Sequence, residues 1–149
     1  MKLRDQIDGH RYLYLTAITE PEDNVLLLRI EEARVGSPAE DLTINGKTIS
    51  GLQNIESSES CAAYEIRFDT YVSYSVRNES FTSIDEYEQH DGRLFCIYTQ
   101  SRFLDYVKSS TFASDDYPGS FTHYGFNCLN HIVDVASCDP PSIEMVRGG

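Results

Sequence analysis

Positive charge is scarce in this chain of 149 residues: lysine and arginine together number 12 against 24 aspartates and glutamates, a formal net charge of −12. Binding to a phosphate backbone draws affinity from cations that displace condensed counterions, so the deficit argues against nucleic acid as a partner and equally against an anionic membrane surface. Long apolar runs are also missing. No stretch approaches the ~20 apolar residues that cross a bilayer, and residues 1–9 mix Lys2, Arg4, Asp5 and Asp8 without the apolar core of a cleaved leader. The location this predicts is the cytoplasm. The four cysteines, Cys61, Cys96, Cys128 and Cys138, are few and irregularly spaced, unlike a small secreted domain stapled by bridges, which predicts reduced thiols. The nine glycines are scattered, with no Gly-x-Gly-x-x-Gly and no Gly-Lys-Ser/Thr to cradle a phosphate. There is no Gly-x-Ser-x-Gly nucleophile turn, no internal repeat and no Gly/Ser linker.

What the chain does contain is core material. Hydrophobic residues make up 40%, with ten tyrosines and seven phenylalanines supplying the area that disordered sequences lack. At this length one core is expected. Residues 1–138 read as a single β-rich domain, and 139–149, from Asp139-Pro140-Pro141 to Arg147-Gly148-Gly149, as a flexible C-terminal tail. The clearest period-two pattern runs from Tyr64 to Arg77: Tyr64, Ile66, Phe68, Val72, Tyr74 and Val76 share one parity, with Glu65, Arg67, Asp69, Ser73, Ser75 and Arg77 on the other. A strand of that length requires a bend or coiling. Arg11 to Ile18 and Val25 to Arg34 form a hairpin pattern around Glu20–Asn24, and Asn45-Gly46 marks a tighter hairpin between Leu42–Ile44 and Thr48-Ile49. Arg93 to Thr99, Phe121 to Phe126 and His131 to Ala136 add strand-like runs. Ser101 ahead of Phe103, Leu104 and Val107 predicts a short capped helix, and Ser83 with Glu86 a single capped turn. The fold class is mainly β: an antiparallel sandwich or partly closed barrel with one or two short helices.

Three constellations could carry chemistry. His123, Cys128, His131 and Cys138 are zinc-ligand types, but only Cys128 and His131 are close in sequence and the tight knuckle of a structural site is absent, so buried thiols and hydrogen-bonded histidines are the preferred reading and no metal or cofactor is assigned. His131 with Asp134 and a nearby Ser137 or Cys138 has the residue types of nucleophilic catalysis, yet positions 131 and 134 face opposite sides of a strand, and no catalytic residue is assigned. The third is a polar set, Arg67, Arg77, His123 and Tyr124, that would surround an internal pocket in a small-molecule-binding or hydrolytic barrel.

The strongest signal is acidic. Glu79, Asp85, Glu86, Glu88 and Asp91 cluster around Phe81 and Tyr87 with no lysine or arginine between them, and Asp115-Asp116-Tyr117 repeats the combination on a Pro-Gly-bounded loop. Carboxylates around an aromatic anchor suit a cationic protein surface, with charge speeding encounter and the ring supplying affinity. Tyr64 to Phe81 and His123 to Val135 resemble a family of small uncharacterised bacterial proteins, a likeness that implies no activity and no site residue. In size, acidity and lack of catalytic motifs the chain is similar to bacterial immunity proteins, which implies a basic protein partner, a toxin such as a nuclease. The expected function is therefore a non-enzymatic acidic binding module, with Glu79, Asp85, Glu86, Tyr87, Glu88, Asp91, Asp115, Asp116 and Tyr117 as its contact residues.

Overall fold

The computed structural model describes residues 2–38, 42–49 and 53–148. In chain order its elements are α1 (Lys2–Asp8), β1 (Tyr12–Thr19), β2 (Leu26–Pro38), β3 (Leu42–Ile44), β4 (Lys47–Ile49), β5 (Gln53–Glu56), β6 (Ala63–Phe68), β7 (Tyr71–Asn78), a single 3-10 turn (Glu79–Phe81), β8 (Gln89–Asp91), β9 (Phe95–Gln100), α2 (Arg102–Ser110), β10 (Thr122–Asn127), β11 (His131–Ser137) and β12 (Ser142–Arg147). Two antiparallel sheets face each other. Sheet 1 runs β1-β2-β6-β12 with β5 also on β2, and sheet 2 runs β7-β11-β10-β9-β8. The arrangement is a sandwich and not a closed barrel. A separate hairpin, β3-β4, turns through Asn45 and Gly46 at φ 52° and 78°, the two left-handed positions that a two-residue hairpin turn demands.

The period-two pattern from Tyr64 to Arg77 is two strands in two sheets. Chain alternation buries Tyr64, Ile66 and Phe68 on β6; the strand then ends, Arg67 reaches Asp69 at 2.8 Å, and β7 resumes in sheet 2. The bend that the length required is a change of sheet, made at residues 69 and 70. From sheet 1, Leu13, Leu26, Leu28, Ile30 and Ile66 fill the core against Phe95, Phe126, Val133 and Val135 of sheet 2. Phe68 locks the layers together, its ring 5.6 Å from Tyr124 and edge-on to Phe126 at 6.2 Å.

Two segments were illegible as structure in the sequence. The expected tail contains β12, which pairs with β6 from Ser142 opposite Arg67 to Arg147 opposite Ala63. Ile143 and Met145 pack against the core while Arg147 donates to the carbonyls of Cys61 and Ser58, each at 2.8 Å. The expectation of a flexible end is corrected accordingly. Only two inward apolar residues announce the strand, and the Pro140-Pro141 pair before it reads as a terminus. The charged start of the chain is α1, whose Ile7 is fully buried. Asp8 Oδ1 accepts the backbone N–H groups of Arg93, Leu94 and Phe95 at 2.7–2.9 Å, and the Arg4 guanidinium donates to the Phe95 carbonyl and to Asp91. Gly92, at φ +96°, seats that arginine: a Cβ there would lie 2.4 Å from its Nη2 and 2.3 Å from the Phe95 carbonyl oxygen.

The turn between β10 and β11 also stitches the sheets. Leu129 N donates to Leu13 O at 2.8 Å, and the Asn130 amide bonds both the N–H and the carbonyl of Leu15, beside an irregularity in β1. No described helix is long and apolar enough to cross a membrane.

Candidate functional site

The face of sheet 2 turned away from the core is polar, and register dictates which residues share it. Gly125 lies opposite Asp134 and Cys96, and His123 opposite Ala136 and Tyr98, so His123, Asp134 and Tyr98 project to the same side, under α2. Ser101 begins α2 as expected, its hydroxyl oxygen accepting the Leu104 N–H at 3.0 Å. The same oxygen lies 2.7 Å from His123 Nδ1, and His123 Nε2 lies 2.6 Å from Asp134 Oδ1. The Asp134 carboxylate accepts from the Nε2–H of His123, and the Ser101 hydroxyl is shared between the Leu104 N–H and Nδ1.

Serine, histidine and aspartate are the residue types of a hydrolase, but here the serine is fully buried and spent on capping a helix, and the imidazole is clamped. Tyr98 stacks on it at 4.0 Å and 10°, and Phe103 of α2 tilts against it at 4.8 Å. Room for the tyrosine comes from Gly125, where a Cβ would stand 2.7 Å from the Tyr98 ring. The network fastens α2 to the sheet. It went unseen in the sequence because the histidine sought for Asp134 was His131, which shares the opposite face with Val133 and Val135. Recognising 122–127 and 132–137 as one hairpin would have revealed it, since positions 123 and 134 then share a face.

Beside the network, on the same side, lies a cleft of about 480 Å³. It is lined by Ile132, Asn127 and Tyr98 of sheet 2, by Arg77 and residues of the 79–88 segment, and by Arg11, Tyr12 and Arg93. A smaller recess of about 90 Å³ shares Arg77, Ser83, Asp85 and Glu88 with the cleft and reaches His123 and Asp134.

The acidic segment is not uncompensated, contrary to its reading in the sequence. Arg102, the first residue of α2, approaches Asp85 Oδ2 at 3.1 Å with its Nε, sits 4.1 Å over the Tyr87 ring, and gives its backbone N–H to Glu88 at 3.2 Å. Tyr87 in turn donates to Asp105 at 2.5 Å. Asp85 also caps Tyr87 N at 3.1 Å, so the turn here rests on Asp85, and the preceding 3-10 turn on Asn78, in place of the Ser83 cap expected from sequence. The guanidinium and the Tyr87 N–H together hold the Asp85 carboxyl below its ordinary range. Asp91 pairs with Arg4 at 3.1 Å. Among the described residues Glu79, Glu86, Asp115 and Asp116 have no ion pair and are exposed, as is Tyr117, which stacks on Phe112 at 6.2 Å and 10°.

The four residues expected around an internal pocket do not share one. Arg77 and His123 line the small recess, whereas Arg67 stands on the outer face of sheet 1 against Asp69 and Tyr124 points into the core beside Phe68. Alternation separates them: Tyr124 and His123 are neighbours on a strand and therefore face opposite ways. Among the described residues no three His, Cys, Asp or Glu side chains converge as a metal site. Burial pushes the Cys128 thiol up to about 12 and, with Asp8 nearby, the Cys96 thiol up to about 11, so neither offers a thiolate near neutral pH. Compared with the families of known proteins, with curated proteins and with solved structures, the chain matches none.

Proposed function

We propose that this chain is an acidic binding module for a basic protein partner, and, in the form that its size and charge suggest, an immunity protein covering the cationic surface of a toxin such as a nuclease. One observation carries the reading: large apolar side chains stand in solvent on the same loops as the unpaired carboxylates. Ile84 is 99% exposed, Phe112 85%, Phe81 79% and Tyr117 67%, and Glu79, Glu86, Asp115 and Asp116 surround them in sequence. Leaving that much hydrocarbon in water is unfavourable unless a partner covers it. The two loops flank the ends of α2, which at 1.5 Å per residue places them about 14 Å apart, within a standard protein–protein footprint. Apolar anchors then supply affinity and the carboxylate rim steers encounter.

The structure also changes which residues to test. Asp85 and Glu88 hold α2, so reversing them disturbs the fold; Glu79, Glu86 and Asp116 are free. The tagged chain and its Glu79→Lys, Glu86→Lys, Asp116→Lys variant are used side by side as bait at low salt and at roughly 0.5 M, where exposed attraction is screened. The expected result is a stoichiometric basic protein retained by the first bait at low salt and lost from the variant, with association to the purified partner slowed more than dissociation is hastened. Identical captures on both baits, or a partner with no excess of lysine and arginine, would overturn the reading.

A further inference from the structure

The arginines of this acidic chain divide into two groups. Six of the nine, Arg4, Arg29, Arg34, Arg67, Arg102 and Arg147, make ion pairs with carboxylates. With twice as many acids as bases that outcome is expected for all of them. Yet Arg11, Arg77 and Arg93 have no carboxylate within 4.0 Å among the described residues, and these three line the same cleft. They come from β7 and from the segments that lead into β1 and β9, so sequence proximity does not bring them together.

We propose that this cleft is a binding site for a small organic polyanion, a phosphomonoester or a polycarboxylate, held by Arg11, Arg77 and Arg93. Three observations argue for it. Of the three carboxylates that line it, Glu79, Asp85 and Glu88, two are already engaged, Asp85 by the Arg102 side chain and Glu88 by the Arg102 N–H, and none lies within 4.0 Å of the cleft's guanidiniums, of which Arg93 donates to the His10 carbonyl. The floor is partly apolar, Ile132 lying next to Arg77 in register and Tyr98 beyond it, and low-dielectric walls strengthen the field of a nearby cation. The volume, about 480 Å³, is that of a small-molecule site. Guanidinium forks match the paired oxygens of carboxylate and phosphate, and several of them converging select a ligand with more than one negative charge. The site adjoins the acidic docking surface, since Glu79 and Ile84 also line the cleft, but it is carried by cations, in a recess, with a ligand of opposite sign to the proposed protein partner.

The test is calorimetric titration of the full chain, at one fixed ionic strength, with citrate, with ribose 5-phosphate and with uncharged ribose. Saturable binding of at least one anion and none of ribose is expected. Binding of citrate alone identifies a carboxylate site, and of the sugar phosphate alone a phosphoryl site; either supports the proposal. Arg77→Gln, at an exposed residue whose side chain makes no hydrogen bond among the described residues, should weaken binding at least about tenfold, the loss of one charge-assisted contact, while Lys108→Gln on α2 leaves it unchanged. Arg11→Gln, ahead of β1, provides a second variant and should weaken binding in the same direction. No saturable binding of either anion, or equal weakening by Lys108→Gln and Arg77→Gln, would overturn it.

Discussion

On the outer face of sheet 1 most charges have an answer, Glu144 being the exception among the described residues of β12. Arg29 meets Glu31 and Glu65, Arg147 meets Glu31, and Arg67 meets Asp69. The outer side of sheet 2 is built differently. There the polar groups that are satisfied are buried beneath α2, as Ser101, His123 and Asp134, while the exposed Arg77, Glu79, Glu86, Asp115 and Asp116 make no ion pair among the described residues and are mixed with exposed Ile84, Phe81 and Tyr117. A face whose charges pair with each other has little free energy left for a partner, whereas unpaired charges and bare hydrocarbon gain on contact. Both proposed surfaces fall on the second side for that reason.

The comparison can be broken most forcefully at its buried polar group. His123→Ala removes the centre of the network and leaves Asp134 and Ser101 without their partner beneath α2, which should cost about 3 kcal/mol in urea unfolding. A cost near that of an exposed substitution would mean that α2 is held by apolar contacts alone. Next in size is Asp8→Ala, which deprives three backbone N–H groups of one acceptor oxygen and should cost about 2 kcal/mol.

Acid tests the paired carboxylates of sheet 1. Desolvation pushes Glu31 upward, but hydrogen bonds from Arg147, Ser57 and Arg29 outweigh it and hold its carboxyl below the ordinary 4.5; Glu32 is likewise held down against desolvation, chiefly by Arg34 and the Ala62 N–H. Each carboxyl binds its proton less readily folded than unfolded, so its stabilisation is complete above about pH 4.5 and is lost as the pH falls through the lowered folded value. Unfolding midpoints measured from pH 6 to pH 2 should therefore drop below about pH 4.5, and Glu31→Gln should flatten the drop. The smallest effects sharpen the contrast. Arg67→Ala, removing an exposed pair, should leave the melting temperature unchanged. The Glu79, Glu86 and Asp116 reversals should do the same to stability and yet alter binding, a separation that only an open face permits.

Much of this was legible in the sequence where the signal is local. Alternating apolar residues announced β1, β2, β6 and β10, Asn45-Gly46 its hairpin, and Ser101 its helix, because the pleat, the left-handed turn and the cap are each decided by a few adjacent residues. The acidic loops were visible as composition. Three things were beyond reach: that β6 and β7 belong to different sheets, that 142–147 adds an edge strand, and that Arg102 neutralises Asp85 from seventeen residues away.

By itself, then, the sequence determined a β-rich chain with one helix of known start and a strongly acidic surface, since those properties follow from side-chain period, capping chemistry and net charge. The tertiary structure alone decided the rest. His123 found Asp134 and not its neighbour His131, and Arg11, Arg77 and Arg93 came to line one cleft, because strand register and the packing of two sheets choose partners across distances in the chain that no local pattern spans.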